Sequence, residues 1–153
     1  FERGQELTVF EAAGARFATV ICFEDTIASL CRDFARCDID FLVNVTNDAW
    51  FKQSPAAEIH LANAVFRCVE TRLPLVRATN NGVSCVVDRF GFVRGRLQPF
   101  TEASGTFTLE LPATREQTFY TQHGDVFVGA CALVTAVAIG LAAFRRNRLE
   151  SPA

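Results

Sequence analysis

Residues 17–45 read FATVICFEDTIASLCRDFARCDIDFLVNV, and the order of apolar runs and a helical stripe in this stretch decides the fold. The first run, residues 17–21, is short and rich in β-formers, and residues 41–45 form a second run of the same kind. Between the two runs, residues 26–37 place four apolar side chains on one stripe of a helix: Ile27, Leu30, Cys31 and Phe34. Strand, tight turn, helix and strand in this order predict a layered α/β fold.

The chain beyond this stretch continues the alternation of strands and helices. A second amphipathic helix is expected to begin at Pro55 and to run to about Arg72, because Pro74 ends it. Four further strands are predicted at residues 75–79, 83–87, 92–97 and 107–111. The Asn-Asn-Gly sequence at 80–82 is a strong hairpin signal between the first two of these strands.

Composition and charge exclude several classes of protein. The 153 residues are 50% hydrophobic and 21% charged, so the chain is not a disordered tail. The net charge is -2 and the basic residues form no long run, which argues against a nucleic-acid partner. The sequence contains no methionine, so we expect it to be a fragment of a longer protein.

The cysteines do not have the paired close spacing of a zinc site, so no metal site is predicted. Cys31 and Cys37 are six residues apart on a predicted helix, where their Cα atoms are too far apart for a disulfide. Most of the thiols are therefore expected to be ordinary buried groups. The six cysteines are Cys22, Cys31, Cys37, Cys68, Cys85 and Cys131.

The composition changes at residues 126–144, VFVGACALVTAVAIGLAAF, which contain no charge and no proline. A helix of this length reaches about 28 Å, close to the roughly 30 Å hydrocarbon core of a bilayer. A buried core helix is the alternative, but such helices seldom lack a polar face. The basic flank of Arg145, Arg146 and Arg148 predicts that residues 145–153 are a cytoplasmic tail and that the body of the chain lies outside the cytoplasm.

The chemistry is predicted at the first strand-to-helix turn, where Cys22 follows a buried strand. The N-terminal end of a helix favours a thiolate and an oxyanion, so a nucleophile is expected at this position. The backbone N–H of Phe23 is the natural oxyanion donor, because it follows the nucleophile directly, and Glu24 is two residues on. From spacing alone, a buried structural cysteine is equally compatible with this pattern.

Several segments resemble one protein family in the order in which they occur: VICFED at 20–25, FLVNVTNDAWF at 41–51 and HLANAVFRCVETRLPLVRATNNGVSCVVDRFG at 60–91. They resemble the C-terminal part of apolipoprotein N-acyltransferase, as does the final apolar helix. The Cys-aromatic-acid elbow is shared with the wider nitrilase superfamily. The resemblance implies that residues 1–111 are the C-terminal portion of a nitrilase-like (carbon-nitrogen hydrolase) α-β-β-α sandwich, and that residues 112–125 link this domain to one transmembrane helix.

The resemblance also implies a two-step acyl transfer in the inner membrane of bacteria, with the catalytic domain on the periplasmic side. The Cys22 thiolate would take a fatty acyl chain from a membrane phospholipid, and the N-terminal cysteine amine of a diacylglyceryl apolipoprotein would then accept the chain. No cofactor is implied.

The family's catalytic triad is Glu-Lys-Cys, of which this chain contains only the cysteine. Lys52 follows Cys22, whereas the family's lysine precedes the cysteine, so Lys52 is not assigned the role. We therefore expect this segment to be inactive alone. Phe23 replaces the tyrosine that the family more often has, and Glu24 matches the family's second acidic residue.

Residues that follow the predicted strands are candidates for substrate binding. Each has an alternative reading, because aromatic pairs often pack over a core and Asx residues are common turn formers. The candidates are Trp50, Phe51, Asn47, Asp48, Asn80 and Asn81. His60 and His123 are interpreted as isolated, without a partner at ligand or relay spacing.

Two other functions remain open from the sequence. A carbon-nitrogen hydrolase of the amidase type would use the same cysteine but pass the acyl group to water. A non-catalytic, membrane-anchored domain would also fit the missing triad residues. The apolar span at 126–144 argues against a soluble hydrolase.

Overall fold

The computed structural model describes residues 4–115 and 117–150, with side chains up to residue 146. The chain forms two compact units, Phe1–Gln122 and His123–Ala153. The first unit contains the sheet and the candidate site, and the second contains the apolar helix. The side chain of Arg148 and the last three residues, for which a cytoplasmic position is predicted, lie outside the described parts.

The first unit is built on one mixed sheet of six strands in the order β1-β2-β3-β4-β5-β6. β2, β3 and β4 run parallel, and β1, β5 and β6 are antiparallel to their neighbours. The strands are β1 Phe10–Ala12, β2 Ala15–Ile21, β3 Phe41–Thr46, β4 Leu75–Thr79, β5 Cys85–Val87 and β6 Val93–Arg94. The predicted α/β fold is therefore confirmed, and β1 is an edge strand that the sequence analysis missed.

Helices connect the parallel strands. Two short 3₁₀ helices follow β2 and β3, and we call Cys22–Thr26 the elbow and Asp48–Phe51 the Asp48 turn. The longer helices are α1 Ala28–Ala35, α2 Ala56–Thr71, α3 Phe119–His123 and α4 Val126–Glu150. The elbow and the Asp48 turn lie at the same edge of the sheet, because both follow the carboxyl ends of neighbouring parallel strands.

One face of the sheet packs against α1 and α2 and forms the core. Its side chains alternate along the strands, as the period of two requires. Members of this core include Ala18, Val20, Leu42, Leu75, Val87, Phe34, Leu61 and Cys68. On the opposite face Ile21 and Val45 are 61% and 41% exposed, which is the apolar surface that one sheet of the predicted sandwich would present to a second.

One prediction for the end of the first unit is wrong. Residues 107–111 do not form a strand, although their alternating pattern is typical of one. Phe107 is 38% exposed, and its ring lies against Gly95, where a Cβ would have no room. The predicted linker also contains a helical turn, α3, whose Thr121 is buried.

The second unit is dominated by α4, which continues beyond the predicted residues 126–144. Within it, Val126–Arg146 is long and apolar enough to cross a membrane, and none of that window is buried. At about 1.5 Å per residue, these residues extend over roughly 32 Å. The apolar helix is therefore confirmed, and its insertion in a membrane stays a prediction.

Candidate active site

Cys22 is the first residue of the elbow, directly after β2, and its side chain is half-buried. Its φ of 53° lies in the left-handed region. This conformation costs an L-residue other than glycine roughly 1–2 kcal/mol. Strain of this kind concentrates at functional sites, because the surrounding structure must hold it in place. The backbone geometry thus distinguishes Cys22 from an ordinary core thiol, which the sequence pattern alone could not do.

Glu24 closes the elbow. Its carboxylate accepts a hydrogen bond from the backbone N–H of Ile21 at 2.7 Å. On the other side of the turn, the Thr26 hydroxyl donates to the carbonyl of Phe23 at 2.8 Å. Glu24 therefore fixes the turn on which Cys22 stands, whatever further role its carboxylate has.

Asn44 anchors the elbow to the neighbouring strand. This fully buried residue of β3 donates through its side-chain amide to the carbonyls of Val20 and Cys22, at 3.3 Å and 3.1 Å. Its amide oxygen accepts from the Arg77 guanidinium at 2.8 Å. A polar side chain at this apolar position thus holds the backbone of Cys22.

A buried cluster of charged residues lies behind the elbow, and we call Asp25, Asp48, His60 and Arg77 the charge cluster. Each of the four residues is at most 4% exposed. Arg77 donates one hydrogen bond to Asp25 and another, of 3.2 Å, to Asp48. Buried charges persist only when they are paired and hydrogen-bonded, and here two carboxylates face a guanidinium and an imidazole.

His60 contacts both carboxylates of the charge cluster. Its Nε2 lies 2.9 Å from Asp25 Oδ1, and its Nδ1 lies 3.0 Å from Asp48 Oδ1. The hydrogen bond to Asp25 raises the pKa of His60 above the ordinary value of 6.5, and burial opposes this shift. The interpretation of His60 as isolated is therefore wrong.

Gly82 lets the turn between β4 and β5 approach the charge cluster. A Cβ at this position would overlap the Asp48 carboxylate and would lie 2.7 Å from Asp48 Cβ. The predicted Asn-Asn-Gly hairpin is confirmed, since β4 pairs antiparallel with β5. The third loop at this edge of the sheet is thus packed directly on the second.

The structure separates the predicted substrate-binding residues. Trp50 is 83% exposed, whereas Phe51 is half-buried and its ring meets the His60 ring edge-on at 5.8 Å. The Asn47 side chain accepts from the N–H of Ala49 and so acts as a turn former. Asp48 belongs to the charge cluster and reaches the elbow through its partners rather than directly.

Asn80 and Asn81 have local roles in the hairpin turn. The side chain of Asn80 accepts from the N–H of Asn81 at 2.7 Å, and the N–H of Asn80 donates to the carbonyl of Thr46 at 3.4 Å. Their contacts therefore give turn geometry, and a role in binding substrate stays a prediction. Lys52, which was not assigned a catalytic role, is exposed at the end of the Asp48 turn.

The other cysteines differ from Cys22 in their surroundings. Cys31, Cys68 and Cys85 are buried in the core. Burial raises the pKa of Cys31 to about 12 and that of Cys85 to about 11, which keeps both thiols protonated and unreactive. Cys37 is half-buried at the end of α1, where its thiol lies 3.4 Å from the carbonyl of Asp33.

Comparison with known proteins identifies the family to which the chain belongs. The sequence profile described as carbon-nitrogen hydrolase matches residues 1–119, so the chain belongs to the carbon-nitrogen hydrolase family. Within that family it is 38% identical to the protein named apolipoprotein N-acyltransferase of Geobacter metallireducens, over 98% of this chain and 28% of that protein. It is 30% identical to the protein of the same name from Thermotoga maritima, over 98% of this chain and 30% of that protein. The chain thus spans less than a third of the length of these relatives.

Solved structures agree on the fold. The glutamine-dependent NAD+ synthetase of Acinetobacter baumannii superimposes with a TM-score of 0.61 at 16% identity, over 67% of this chain and 21% of that chain. A carbon-nitrogen hydrolase from Helicobacter pylori gives a TM-score of 0.59 at 11% identity, over 67% and 43%. The amidase from Nesterenkonia sp. AN1, with acrylamide added at its active site cysteine, gives 0.57 at 21% identity, over 85% and 50%. The predicted nitrilase-like fold is therefore confirmed.

Proposed function

We propose that Cys22 is the nucleophile of an N-acyltransferase that moves a fatty acyl chain from a membrane phospholipid to the N-terminal cysteine amine of an apolipoprotein. The observation that carries the proposal is the strained, half-buried Cys22 at the elbow of a carbon-nitrogen hydrolase fold. The relatives named apolipoprotein N-acyltransferase support the choice of reaction. The chain would supply the nucleophile, and other parts of the protein would supply the remaining triad residues.

The reaction proceeds in two balanced steps. The Cys22 thiolate attacks the ester carbonyl of the phospholipid, so a C–S bond forms, the C–O bond breaks, and the lysophospholipid leaves as an alcohol after taking up a proton. The acceptor amine then attacks the thioester, which forms the amide C–N bond, breaks the C–S bond and returns the thiol. One transfer between two lipids becomes two easier steps, because an amine attacks a thioester readily.

The elbow contributes to the first step beyond the nucleophile itself. The N–H groups of the first helical turn have no partner within the helix, so the Phe23 N–H is available to the oxyanion that forms on the carbonyl. Glu24 and Asn44 hold this turn from two sides through the bonds to Ile21 N–H and Cys22 carbonyl. The proposed role of Phe23 therefore depends on its backbone, and the loss of a tyrosine hydroxyl does not affect it.

The proposed location is the bacterial inner membrane, with the sheet unit on the periplasmic side and the C-terminus in the cytoplasm. The apolar helix of the second unit supports a membrane anchor. Arg145 and Arg146 at the end of its apolar segment support the orientation, because basic residues flank membrane spans on the cytoplasmic side.

An amidase-type hydrolase is the second candidate, favoured by the superposition on the amidase from Nesterenkonia sp. AN1. Both functions share a thioester at Cys22 and differ in the acceptor, which is water for the hydrolase. The fate of a trapped thioester therefore distinguishes them.

The test is to trap the thioester in the protein expressed from its whole gene. Wild type, Cys22→Ser and the matched control Cys37→Ser are incubated with acyl-labelled phospholipid without acceptor. We expect hydroxylamine-sensitive label on wild type and Cys37→Ser and none on Cys22→Ser, because a serine hydroxyl is far less acidic than a thiol.

The acceptor is then added to the labelled protein. Passage of the label to a diacylated lipopeptide supports the transferase, whereas release as free fatty acid at the same rate with or without lipopeptide supports the hydrolase. Label that persists on Cys22→Ser would contradict both assignments of the nucleophile.

A further inference from the structure

His60 contacts the other three members of the charge cluster and is the member that comes from the long helix α2. We propose that His60 is a positioning residue for acyl transfer, which holds the elbow and the Asp48 turn in the geometry that the Cys22 nucleophile requires. This inference rests on the proposed function of Cys22, and the experiment below separates the failure of one from the failure of the other.

The contacts of His60 join two loops that are distant in sequence. Asp25, bonded to Nε2, is the fourth residue of the elbow, and Asp48, bonded to Nδ1, begins the second 3₁₀ turn. Movement of the imidazole therefore displaces both loops. Asp25 is only three residues from Cys22, so a shift of the elbow moves the sulfur and the Phe23 N–H together.

The His60 imidazole also packs against two aromatic rings, that of Phe23 in the elbow and that of Phe51 in the Asp48 turn. The Phe23 ring lies 6.3 Å from it in a tilted arrangement, and the Phe51 ring meets it edge-on at 5.8 Å. Phe23 is 66% exposed, so few other contacts restrain its ring. His60 thus fixes the side chains nearest the elbow as well as its backbone.

The protonation state of His60 determines which of these links exist. The ionisable groups that face the ring are Asp25, Asp48 and Arg77. In the imidazolium, both ring N–H groups donate to the carboxylates. In the neutral ring with its proton on Nε2, Nδ1 can only accept from the Arg77 guanidinium at 3.0 Å, and the link to the Asp48 turn is lost. Because the hydrogen bond to Asp25 raises the pKa of His60 above 6.5, the doubly linked form persists to higher pH than it would for an unperturbed histidine.

The test uses two partial replacements of the imidazole in the protein expressed from its whole gene. His60→Gln can return a donor near the position of Nε2, and His60→Asn can return one near Nδ1, so each keeps one link at most. His123→Gln is the matched control, because this exposed histidine belongs to the second unit. The rates of thioester formation from phospholipid and of Cys22 alkylation by iodoacetamide are measured, the latter by peptide mass spectrometry on the monodisperse fraction.

We expect both His60 variants to lower the rate of thioester formation about 10- to 100-fold at saturating phospholipid, with a much smaller change in KM, because misplacing a reacting group by about 1 Å costs on this order. The alkylation rate of Cys22 should change in the same variants, and His123→Gln should match wild type in both assays. The ratio of wild-type to His60→Gln rates should stay constant below the pKa of the imidazole and decline as pH rises through it, since deprotonation removes the Asp48 link from wild type.

Wild-type rates of thioester formation and alkylation in both His60 variants would overturn the proposal and leave the function of Cys22 intact. A rate loss with no pH dependence in the ratio would also overturn it, because it would indicate a merely structural role. If wild type forms no thioester, the proposed function fails, and a changed alkylation rate in the variants would still show that His60 positions the elbow.

Discussion

Two clusters of arginine and aspartate lie at opposite ends of the parallel strands. At the carboxyl ends, behind Cys22, Arg77 pairs with Asp25 and Asp48, and the three side chains are at most 1% exposed. At the amino ends, Arg115 pairs with Asp40 and a neighbouring aspartate, and its own side chain is 35% exposed. The same pair of chemical groups is thus dry at one edge of the sheet and in contact with water at the other.

This difference in exposure indicates which of the two clusters is related to function. Charges at a surface are screened and cost little to place, so the cluster around Arg115 needs no explanation beyond loop packing. Charges in a core carry a large desolvation penalty, and apolar residues of similar volume often give equal or greater stability. The charge cluster behind Cys22 is therefore poor evidence of stability and better evidence that three loops must be held in one arrangement.

The largest stability effect is expected from Arg77→Met, which leaves two buried carboxylates with His60 as their only cationic partner. Breaking a buried ion pair from one side costs about 3–5 kcal/mol. Arg115→Met, the matched change at the other edge, should have a far smaller effect. Thermal unfolding of the protein expressed from its whole gene, in detergent, gives both values.

Equal shifts in the unfolding temperature of the two arginine variants would contradict the contrast between the buried charge cluster and the partly exposed cluster around Arg115. A shift in Arg77→Met that disappears at high salt would contradict it as well, because buried pairs are screened much less than exposed ones.

Sequence reasoning captured the elements whose signal is local. The alternation of β2, α1 and β3 is contained in the 32 consecutive residues from Ala15 to Thr46, and the Asn-Asn-Gly turn predicts its hairpin. Local signals also misled, since residues 107–111 have the pattern of a strand but no ladder partner within the part of the chain that is described. A strand forms only when a neighbouring strand is available for backbone pairing, and the sequence pattern of one segment does not show whether such a partner exists.

In the candidate site, too, residues with a local sequence signal could be predicted and residues that depend on distant partners could not. Cys22 and Glu24 could be proposed from the sequence because the elbow is a short motif, whereas the partners of His60 are 35, 12 and 17 residues away. The available signal was a polar residue inside an apolar strand: Asn44 in FLVNV and Arg77 in LVRAT. A buried polar group must find a hydrogen-bond partner, so two such residues on adjacent strands indicate a buried polar cluster.

A smaller effect is expected from Gly82→Ala, which tests how tightly the third loop is packed on the charge cluster. The φ of Gly82 is not positive, so the substitution adds no backbone strain and its cost comes from overlap with Asp48 alone. Overpacking of this kind costs about 1–3 kcal/mol. Gly4→Ala is the matched control, because a Cβ there meets nothing within 4 Å. If the two variants unfold at the same temperature, the Gly82 loop can move away from Asp48 without a loss of stability.

The smallest effect is expected from Asp40→Asn in the cluster around Arg115, and its size depends on pH. The guanidinium of Arg115 donates hydrogen bonds of 2.7 and 3.0 Å to Asp40 and lowers the pKa of this carboxyl from its ordinary value of 3.8. A carboxyl whose pKa is lowered on folding stabilises the protein above its ordinary pKa, and this stabilisation is lost as pH falls through the folded value. Wild type should therefore unfold at a slightly higher temperature than Asp40→Asn at neutral pH, and the two should converge in acid. Added salt should reduce the neutral-pH difference, since the Arg115 side chain of the pair is 35% exposed to solvent. A difference in unfolding temperature that grows as pH falls, or that salt does not change, would contradict this prediction. It would indicate that Asp40 is as fully shielded from water as the charge cluster, and the contrast between the two edges of the sheet would be lost.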